Sequence, residues 1–280
     1  MTKKIIWHLG FRKTGTTSVQ YLLGHLPLAE YPNLLVSSRD HVTKNWRAMV
    51  VGATRAKKRP NLAKLRIEMS NVATLMRGVA AQTILISDEN LFAFSLYAKD
   101  GSHFFDWAAD ILPLIETEFA DFENVFVAYT RPLDSWLKSS YSQDVKRGRT
   151  WRSYDNWRKQ VPKGCNWTDG LAAIRAVIRA PLVLLTQETA LEGGRPLGAQ
   201  LLELAGVSPA AIAAIGPAPH LNQSLSPARM RLLRLLNFFG LNGLVRAALN
   251  RQAKERELSR MSKVAAGATG RATTADKPPE

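Results

Sequence analysis

The segment Gly10-Phe11-Arg12-Lys13-Thr14-Gly15-Thr16-Thr17 places two glycines, a lysine and three threonines within eight residues. Glycine lets an anion approach the backbone closely, and the main-chain N–H groups at the start of a helix attract negative charge. An apolar run precedes this segment, and a helical pattern follows it. The order predicts a strand, a phosphate-binding loop and a helix, although a glycine turn that opens a helix without any ligand is the alternative.

The spacing of Gly10 and Gly15 matches the nucleotide-kinase loop G-x-x-x-x-G-K-[ST]. Thr17 occupies the hydroxyl position of that motif, but Thr16 stands where the motif has its lysine. The lysine of this chain comes earlier, at Lys13. We therefore expect a phosphate-binding loop whose lysine reaches a different part of the ligand than in a nucleotide kinase.

A second candidate anion site follows the apolar run 125–130. Arg131 comes directly after this run, and Ser139 lies eight residues further, about two turns into a predicted helix. A guanidinium binds phosphate through paired donors, and a serine hydroxyl can donate to the same group. A magnesium site of the kinase type would instead need an aspartate at the end of a strand. Asp88, which follows the apolar run 83–87, leaves that alternative open.

Strand and helix patterns alternate along the chain, and these elements must position the two sites. Apolar runs predict strands near residues 5–10, 83–87, 125–130 and 181–186. Helical periodicity predicts helices at 19–26, 62–79, 107–119, 134–147 and 172–178. The alternation predicts a three-layer α/β/α fold of the P-loop type around a mainly parallel sheet, with ligands at the carboxyl ends of the strands. Residues 27–60 show no clear pattern, because three prolines interrupt them.

The predicted domain organisation is one α/β domain over residues 1–261, with a helical part from about residue 196. Ser208-Pro209 and Ser226-Pro227 each combine a good N-cap with a proline suited to the first position of a helix. The second of these helices is basic and amphipathic and is expected to end near Gly240. The composition of residues 262–280 predicts a disordered tail.

The chain of 280 residues carries a formal net charge of +15. Such a charge favours an anionic partner, which could be a nucleotide, an acidic glycan, a nucleic acid or anionic lipid head groups. The aromatic and basic residues of 148–170 match no nucleic-acid-binding module, so no nucleic acid is expected. The single cysteine, Cys165, excludes an internal disulfide and a cysteine-rich metal site. No apolar run has the length of a signal core or a membrane span, so we expect a cytoplasmic protein.

The two anion sites together resemble those of the sulfotransferases that use 3′-phosphoadenosine 5′-phosphosulfate (PAPS) as their donor. Residues 11–17 are similar to the family's 5′-phosphosulfate loop, whose core is K-[ST]-G-[ST]-[ST]. Arg131 and Ser139 are similar to its 3′-phosphate motif, and Tyr141 matches a tyrosine often found two positions after that serine. Many members read Arg-x-Pro, whereas here Pro132 follows the arginine directly.

The resemblance implies an enzyme that transfers a sulfuryl group from PAPS to an acceptor hydroxyl, expected on a carbohydrate or glycolipid, without a metal. The N–H groups of the loop would hold the 5′-phosphate, and Lys13 would neutralise charge on the bridging oxygen as the S–O bond breaks. The simpler interpretation of Arg12 is an exposed, solvated side chain. The residues implied in PAPS binding are Arg12, Lys13, Thr14, Gly15, Thr16, Thr17, Ser18, Arg131, Ser139 and Tyr141.

Sulfuryl transfer also needs a base for the acceptor hydroxyl, and in the family this role falls to a histidine or a glutamate. Glu89 is the first candidate, because it follows a predicted strand and belongs to Ser87-Asp88-Glu89, which resembles a Ser-x-Glu of bacterial relatives. A plain helix-capping carboxylate is the alternative for this residue. His103, in an aromatic-rich segment, is the second candidate, and His8 is interpreted as structural.

Other functions stay open. A P-loop nucleotide kinase would require magnesium, and a non-catalytic nucleotide- or polyanion-binding protein would keep Lys13 and Arg131 but need no base. The basic C-terminal helix could also contact the anionic inner face of a membrane, although a solvated helix face is the simpler interpretation. The segment Asn222-Gln223-Ser224-Leu225 is similar to an N-x-S-L segment of bacterial sulfotransferases, but it has no assigned role.

Overall fold

The computed structural model describes residues 2–38, 42–56, 58–216, 225–241 and 243. The chain forms two compact units, one of which contains the residues before Tyr141 and those from Tyr154 to Gly216. The other contains Tyr141–Ser153 and a helix at Pro227–Phe238. The predicted tail 262–280 and Asn222-Gln223-Ser224 lie outside the described residues, and the single domain predicted over residues 1–261 stays a prediction. No helix of the described ranges is long and apolar enough to cross a membrane.

The first unit is built on a five-stranded, all-parallel sheet in the order β2-β3-β1-β4-β5. The α/β class is therefore confirmed, with helices on both sides of the sheet as in a three-layer fold. Strand β2 lies at one edge and was not predicted. The strands are β1 Lys4–His8, β2 Leu34–Ser38, β3 Thr83–Ser87, β4 Glu123–Thr130 and β5 Leu182–Thr186.

Helices of varied length connect and follow the strands. The described helices are α1 Thr16–Gly24, α2 Lys44–Arg55, α3 Leu62–Gly78, α4 Phe104–Glu118, α5 Leu133–Lys146, α6 Tyr154–Arg158, α7 Trp167–Val177, α8 Gln187–Ala190, α9 Ala199–Leu204, α10 Pro209–Ile215 and α11 Pro227–Phe238. Both predicted N-caps are confirmed, because Ser208 and Ser226 accept main-chain hydrogen bonds at the starts of α10 and α11. Helix α11 ends at Phe238, close to the predicted end at Gly240.

Alternating side chains of β1 point to opposite faces of the sheet, as strand geometry requires. Ile6 packs in a buried cluster with Val19 and Leu22 of α1 and Leu201 of α9. Trp7 faces the other way and contacts Trp46 of α2, with ring centroids 6.0 Å apart. The burial of both faces of β1 explains why its sequence reads as a continuous apolar run.

Strand β1 lies at the centre of the sheet, between β3 and β4. The chain leaves β1 toward β2 on one side, whereas it leaves β4 toward β5 on the other side. Ligands of open α/β sheets bind outside the carboxyl ends of strands at such a switch point. The segments that follow β1, β3 and β4 therefore lie together at the carboxyl ends of the strands, where a ligand site is expected.

Candidate anion-binding site

The loop between β1 and α1 contains a tight turn at Phe11–Thr14. The main-chain N–H and the hydroxyl of Thr14 both donate to the carbonyl oxygen of Phe11, at 3.3 and 2.5 Å. Lys13 has a φ of 65°, a left-handed conformation that is uncommon for a residue other than glycine. Thr14 thus uses its hydroxyl inside the loop, while the strained backbone at Lys13 is of the kind that concentrates at functional sites.

The start of α1 has hydrogen-bonding groups that the protein does not satisfy. Gly15 has a φ of 93° and precedes the first helical residue. In the described part of the chain, the main-chain N–H groups of Gly15 and Thr16 have no acceptor. The hydroxyl of Thr16 also has no partner there, and the residue is buried, with only 3% of its surface exposed. Buried polar groups in native proteins almost always have a partner, so the Thr16 hydroxyl marks a point of the loop that suits an acceptor, and the two N–H groups of the helix start lie beside it.

The first half of the loop is anchored by an aromatic cluster. Phe11 is fully buried, with its ring centroid 5.0 Å from that of Phe104 and 5.8 Å from that of Trp167. Arg12 is only 6% exposed, and its Nη1 donates to the carbonyl oxygen of Phe94 at 3.3 Å. The expectation of an exposed Arg12 is therefore wrong, because the burial of its neighbour Phe11 draws this part of the loop inward.

Trp136 of α5 holds the same part of the loop. Its indole Nε1 donates to the carbonyl oxygen of Arg12 at 2.8 Å, and the residue is fully buried. Its ring centroid lies 4.5 Å from that of Trp167. The sequence reasoning assigned no role to either tryptophan, since nothing in the local pattern shows which distant carbonyl an indole will meet.

Arg131, at the end of β4, reaches directly to the loop. Its Nη1 donates to the carbonyl oxygen of Lys13 at 3.2 Å, and its Nε donates to Ser135 Oγ at 3.0 Å. Partial burial lowers the pKa of Arg131, and the negative charge of Glu188 counteracts that effect. The structure therefore brings the two predicted anion sites into contact through this guanidinium.

Helix α5 carries the remaining residues of the predicted 3′-phosphate motif. Ser139 lies one turn after Ser135, so the two hydroxyls share a helix face. Sequence reasoning missed Ser135, although its four-residue spacing from Ser139 was a usable signal. Tyr141 belongs to the second unit, where its hydroxyl donates to the carbonyl oxygen of Arg152 at 2.8 Å.

Residues after β5 cover the second glycine of the loop. A Cβ atom placed on Gly15 would lie 2.2 Å from Cδ2 of Leu197 and 3.5 Å from Nε2 of Gln187. The side chain of Leu197 is buried against this point. The left-handed conformation therefore favours glycine at position 15, and a Cβ there would also displace the end of the Leu197 side chain. Neither of these covering residues was predicted.

Glu89 follows β3 on the other side of the loop. A Cβ on Gly10 would lie only 2.5 Å from Cα of Glu89, so the two backbones are in direct contact. The side chain of Glu89 is half-buried, and its Oε1 accepts a hydrogen bond from Asn90 Nδ2 at 3.4 Å. The structure thus places Glu89 beside the start of the loop, at the carboxyl ends of the strands, and its role as a base stays a prediction.

Asp88 has a different environment from its neighbour. It is only 1% exposed, and its carboxylate accepts from the hydroxyl of Thr43 at 2.9 Å and the main-chain N–H of Asn90 at 3.1 Å. The Nε of Arg47 lies 3.4 Å from the same carboxylate. Burial raises the pKa of Asp88 in spite of these favourable contacts. Its oxygens are therefore occupied by protein donors.

The two described histidines considered as site residues lie in different settings. His103 is the N-cap of α4, where its main-chain N–H donates to Asp106 Oδ2 at 2.8 Å. Its Nδ1 is 3.4 Å from that oxygen, and burial lowers the pKa of His103 while Asp106 raises it. His8 is fully buried with Nδ1 at 2.7 Å from Ser87 Oγ, and burial lowers its pKa to about 3. His8 is therefore neutral at physiological pH.

Comparison with known proteins gives no family for this chain. No protein-family model matches it, and no curated protein matches it either. Among the residues that the structure describes, no three His, Cys, Asp or Glu side chains form a group that could hold a metal ion. The resemblance to PAPS-dependent sulfotransferases thus rests on residues 11–17, on Arg131 with Ser139, and on the parallel sheet that carries both.

Proposed function

We propose that this protein is a PAPS-dependent sulfotransferase that acts on an acceptor hydroxyl. The observation that carries the proposal is the contact between Arg131 and the carbonyl oxygen of Lys13. It joins a phosphate-type loop after β1 to an arginine after the neighbouring strand β4. A donor with two separate anionic groups, such as PAPS, suits two adjacent sites of this kind.

The loop would hold the 5′-phosphosulfate. The N–H groups of Gly15 and Thr16 and the hydroxyl of Thr16 are donors in need of an acceptor. Phosphate oxygens would satisfy all three, and the helix dipole of α1 would add a favourable field. Lys13, on the other side of the second glycine, would stabilise the negative charge that grows on the phosphate as its bond to sulfur breaks.

The 3′-phosphate would bind at Arg131. Two of its guanidinium nitrogens are engaged with Lys13 and Ser135, which fixes the plane of the group. A guanidinium has further N–H donors, and these can bind phosphate oxygens without disturbing that arrangement. Ser139, on the same face of α5 as Ser135, would supply an additional hydroxyl.

Glu89 is the base that this geometry favours. In the transfer, the acceptor oxygen forms a bond to sulfur, the bond from sulfur to the bridging phosphate oxygen breaks, and the acceptor proton passes to the carboxylate. Glu89 follows the strand next to β1, and its backbone touches Gly10 at the start of the loop. His103 instead takes part in the N-terminal capping of α4 with Asp106.

A nucleotide kinase is the less favoured function. Its loop lysine is replaced by Thr16, which carries an unpartnered hydroxyl and no charge. Asp88 has the sequence position of a magnesium ligand, yet protein donors already occupy its carboxylate. Both features weaken the case for metal-assisted phosphoryl transfer.

The acceptor and compartment are part of the proposal. We infer a carbohydrate or glycolipid hydroxyl as acceptor, following the resemblance to glycan-modifying sulfotransferases. We also infer a cytoplasmic location. Cys165 is a buried free cysteine whose pKa burial raises to about 12, and unpaired thiols of this kind are ordinary in a reducing compartment.

The test is calorimetric titration with adenosine 3′,5′-bisphosphate, the desulfated product, in the presence of EDTA. We expect saturable binding to the parent protein and a loss of about 100-fold or more in Arg131→Ala. Arg175→Ala is the matched control, because Arg175 is an exposed arginine on α7. Failure to bind the bisphosphate, together with binding of ATP and magnesium, would overturn the sulfotransferase proposal in favour of the kinase.

A further inference from the structure

The second unit places one face of α11 against the segment Tyr141–Ser153. Nδ2 of Asn237 donates to the carbonyl oxygens of Val145 and Thr150, at 2.9 and 3.0 Å. Nε of Arg234 donates to the carbonyl oxygen of Trp151 at 3.1 Å. Leu233 is buried, with 7% of its surface exposed. These contacts define the inner face of the helix and leave the opposite face directed outward.

The outward face is apolar. Three side chains of this face, two residues that follow the helix and the neighbouring Trp151 are between 44% and 63% exposed. We call them the apolar patch: Trp151, Leu232, Leu235, Phe238, Phe239 and Leu241. The rings of Trp151 and Phe238 meet edge to face at 5.2 Å, and Phe239 contacts Phe238 at the same distance. Single exposed apolar side chains are ordinary, but an exposed apolar group of this size marks an interaction surface.

Arginines surround the apolar patch. Arg229 and Arg231 are exposed on α11, and the guanidinium of Arg152 lies 5.4 Å from the ring centroid of Trp151. The described residues of this unit contain seven lysines and arginines against one acidic residue, Asp144. That aspartate is paired with Arg149 at 3.3 Å. The described part of this unit therefore combines an exposed apolar patch with a strong excess of positive charge.

We propose that the apolar patch docks on an anionic lipid bilayer, with α11 lying in the plane of the head groups. An interfacial helix buries leucine and aromatic side chains at the acyl boundary while its arginines remain at the level of the lipid phosphates. The positive charge of the arginines near the apolar patch favours an anionic bilayer over a second copy of the chain. A symmetric dimer through the same face would bring the arginines of both copies together.

The docking does not depend on sulfuryl transfer, and it is tested without a donor or an acceptor. The full-length chain is centrifuged with sucrose-loaded vesicles of phosphatidylcholine alone or with 30% phosphatidylglycerol, on the order of the anionic content that such surfaces carry. We expect binding to the anionic vesicles, at least tenfold weaker binding to the neutral ones, and a several-fold loss of binding at 0.5 M salt, since screening weakens the attraction at roughly that concentration.

Two variants with matched controls separate the apolar and charge contributions. Leu232→Gln with Leu235→Gln should lower vesicle affinity about tenfold or more. Ile67→Gln with Leu75→Gln should not lower it, because both control residues are exposed apolar residues of α3. Arg229→Gln with Arg231→Gln should abolish the preference for anionic lipid. Arg175→Gln with Arg179→Gln changes the net charge equally and should preserve that preference.

Two results would overturn the proposal. The first is equal binding of the parent and the leucine variant to anionic vesicles, with circular dichroism confirming that both are folded. The second is a parent that is dimeric by light scattering, becomes monomeric in the leucine variant and binds no vesicles. The bisphosphate titration can succeed or fail independently of either result.

Discussion

The guanidinium Nη1 of Arg131 donates a hydrogen bond to the main-chain carbonyl oxygen of Lys13 at 3.2 Å. The two residues are 118 positions apart in the sequence, but they follow neighbouring strands of the sheet. Lys13 holds a left-handed backbone conformation at the same point. The conformation of the loop and the position of the guanidinium therefore depend on each other.

Replacing Arg131 with lysine should weaken adenosine 3′,5′-bisphosphate binding about tenfold or more, although the positive charge is kept. A lysine ammonium cannot bond both the Lys13 carbonyl oxygen and Ser135 while it also presents paired donors to a phosphate. Ser135→Ala should weaken bisphosphate binding only a few-fold, because it removes the bond that orients the Arg131 guanidinium but removes no proposed contact with the ligand. Calorimetric titration measures both. Equal affinity of Arg131→Lys and the parent would show that charge alone matters.

Thr16→Val and Thr14→Val should differ in their effect on the free energy of unfolding. The hydroxyl of Thr16 is buried without a partner, so its removal should leave the free energy of unfolding unchanged or raise it by about 1 kcal/mol. The hydroxyl of Thr14 donates to the carbonyl oxygen of Phe11, so its removal should lower that free energy by about 1–2 kcal/mol. Urea unfolding measures both values.

Ligand binding by variants of Thr16 completes the comparison. Thr16→Val should lose bisphosphate affinity in spite of its stability, because the valine cannot donate to a phosphate oxygen. Thr16→Ser keeps the hydroxyl and should restore binding. A Thr16→Val protein that binds as tightly as the parent would contradict the assignment of this hydroxyl to the ligand.

Gly10→Ala should destabilise the protein by about 1–3 kcal/mol, because overpacking against fixed groups costs energy of this order. The new Cβ would lie 2.5 Å from Cα of Glu89 and 2.6 Å from the carbonyl oxygen of Asp88, both of which belong to the backbone. Gly52→Ala is the matched control. Gly52 lies within α2 with no atom near its Cβ position, so alanine should stabilise that helix by about 0.5–1 kcal/mol. Thermal unfolding of both variants distinguishes the two effects.

Glu89→Gln should reduce the rate of sulfate transfer by a factor of about 100 or more while leaving bisphosphate affinity unchanged. The carboxylate is proposed to accept the proton of the acceptor and not to bind the donor. His103→Asn is the comparison, because the asparagine can still cap α4. It should retain most of the activity in assays with ³⁵S-labelled PAPS and a panel of sugar and glycolipid acceptors. A reversed ranking of the two variants would move the role of base to His103.

Stability should fall with decreasing pH below about 6.5, partly because of His8. Burial lowers the pKa of His8 from its ordinary 6.5 to about 3, so between these values the unfolded chain binds a proton that the folded chain does not. Each pH unit in that window should cost about 1.4 kcal/mol for this group. His8→Gln should flatten the dependence in urea titrations from pH 7 to pH 4.5. Burial also lowers the pKa of His103, so His103→Asn is measured separately; an unchanged slope in His8→Gln would refute the prediction.

Local patterns were sufficient for four of the five strands, including the edge strand β5, but not for the edge strand β2. Strand β3 matches its predicted residues Thr83–Ser87, because a strand buried on both faces reads as an uninterrupted apolar run. Strand β2 and the following α2 were missed, because β2 has only three apolar residues and the nearby prolines obscured the pattern. Within α2, the buried residues Trp46, Val50 and Thr54 recur every four positions and were a usable helical signal.

The candidate site shows the same division between local and distant information. The loop at residues 11–17 and Arg131 were found from residue types and spacing. The burial of Arg12 and the cover of Leu197 over Gly15 were not found, because each depends on segments far away in the sequence. Local residue types also could not predict that the Thr14 hydroxyl would bond within the loop while the Thr16 hydroxyl has no partner.

The parallel pairing of β1 with β4 fixes the distance between the starting points of the two candidate anion sites. The loop and Arg131 are attached to strands whose spacing is set by main-chain hydrogen bonds at about 4.8 Å, a distance that side-chain changes can barely alter. If the proposed function holds, selection among ligands would depend on the distance between their anionic groups as well as on their charge. Inorganic phosphate, sulfate and adenosine 5′-monophosphate would each bind only one of the two sites, whereas a molecule with anions at both ends of a ribose would bind both.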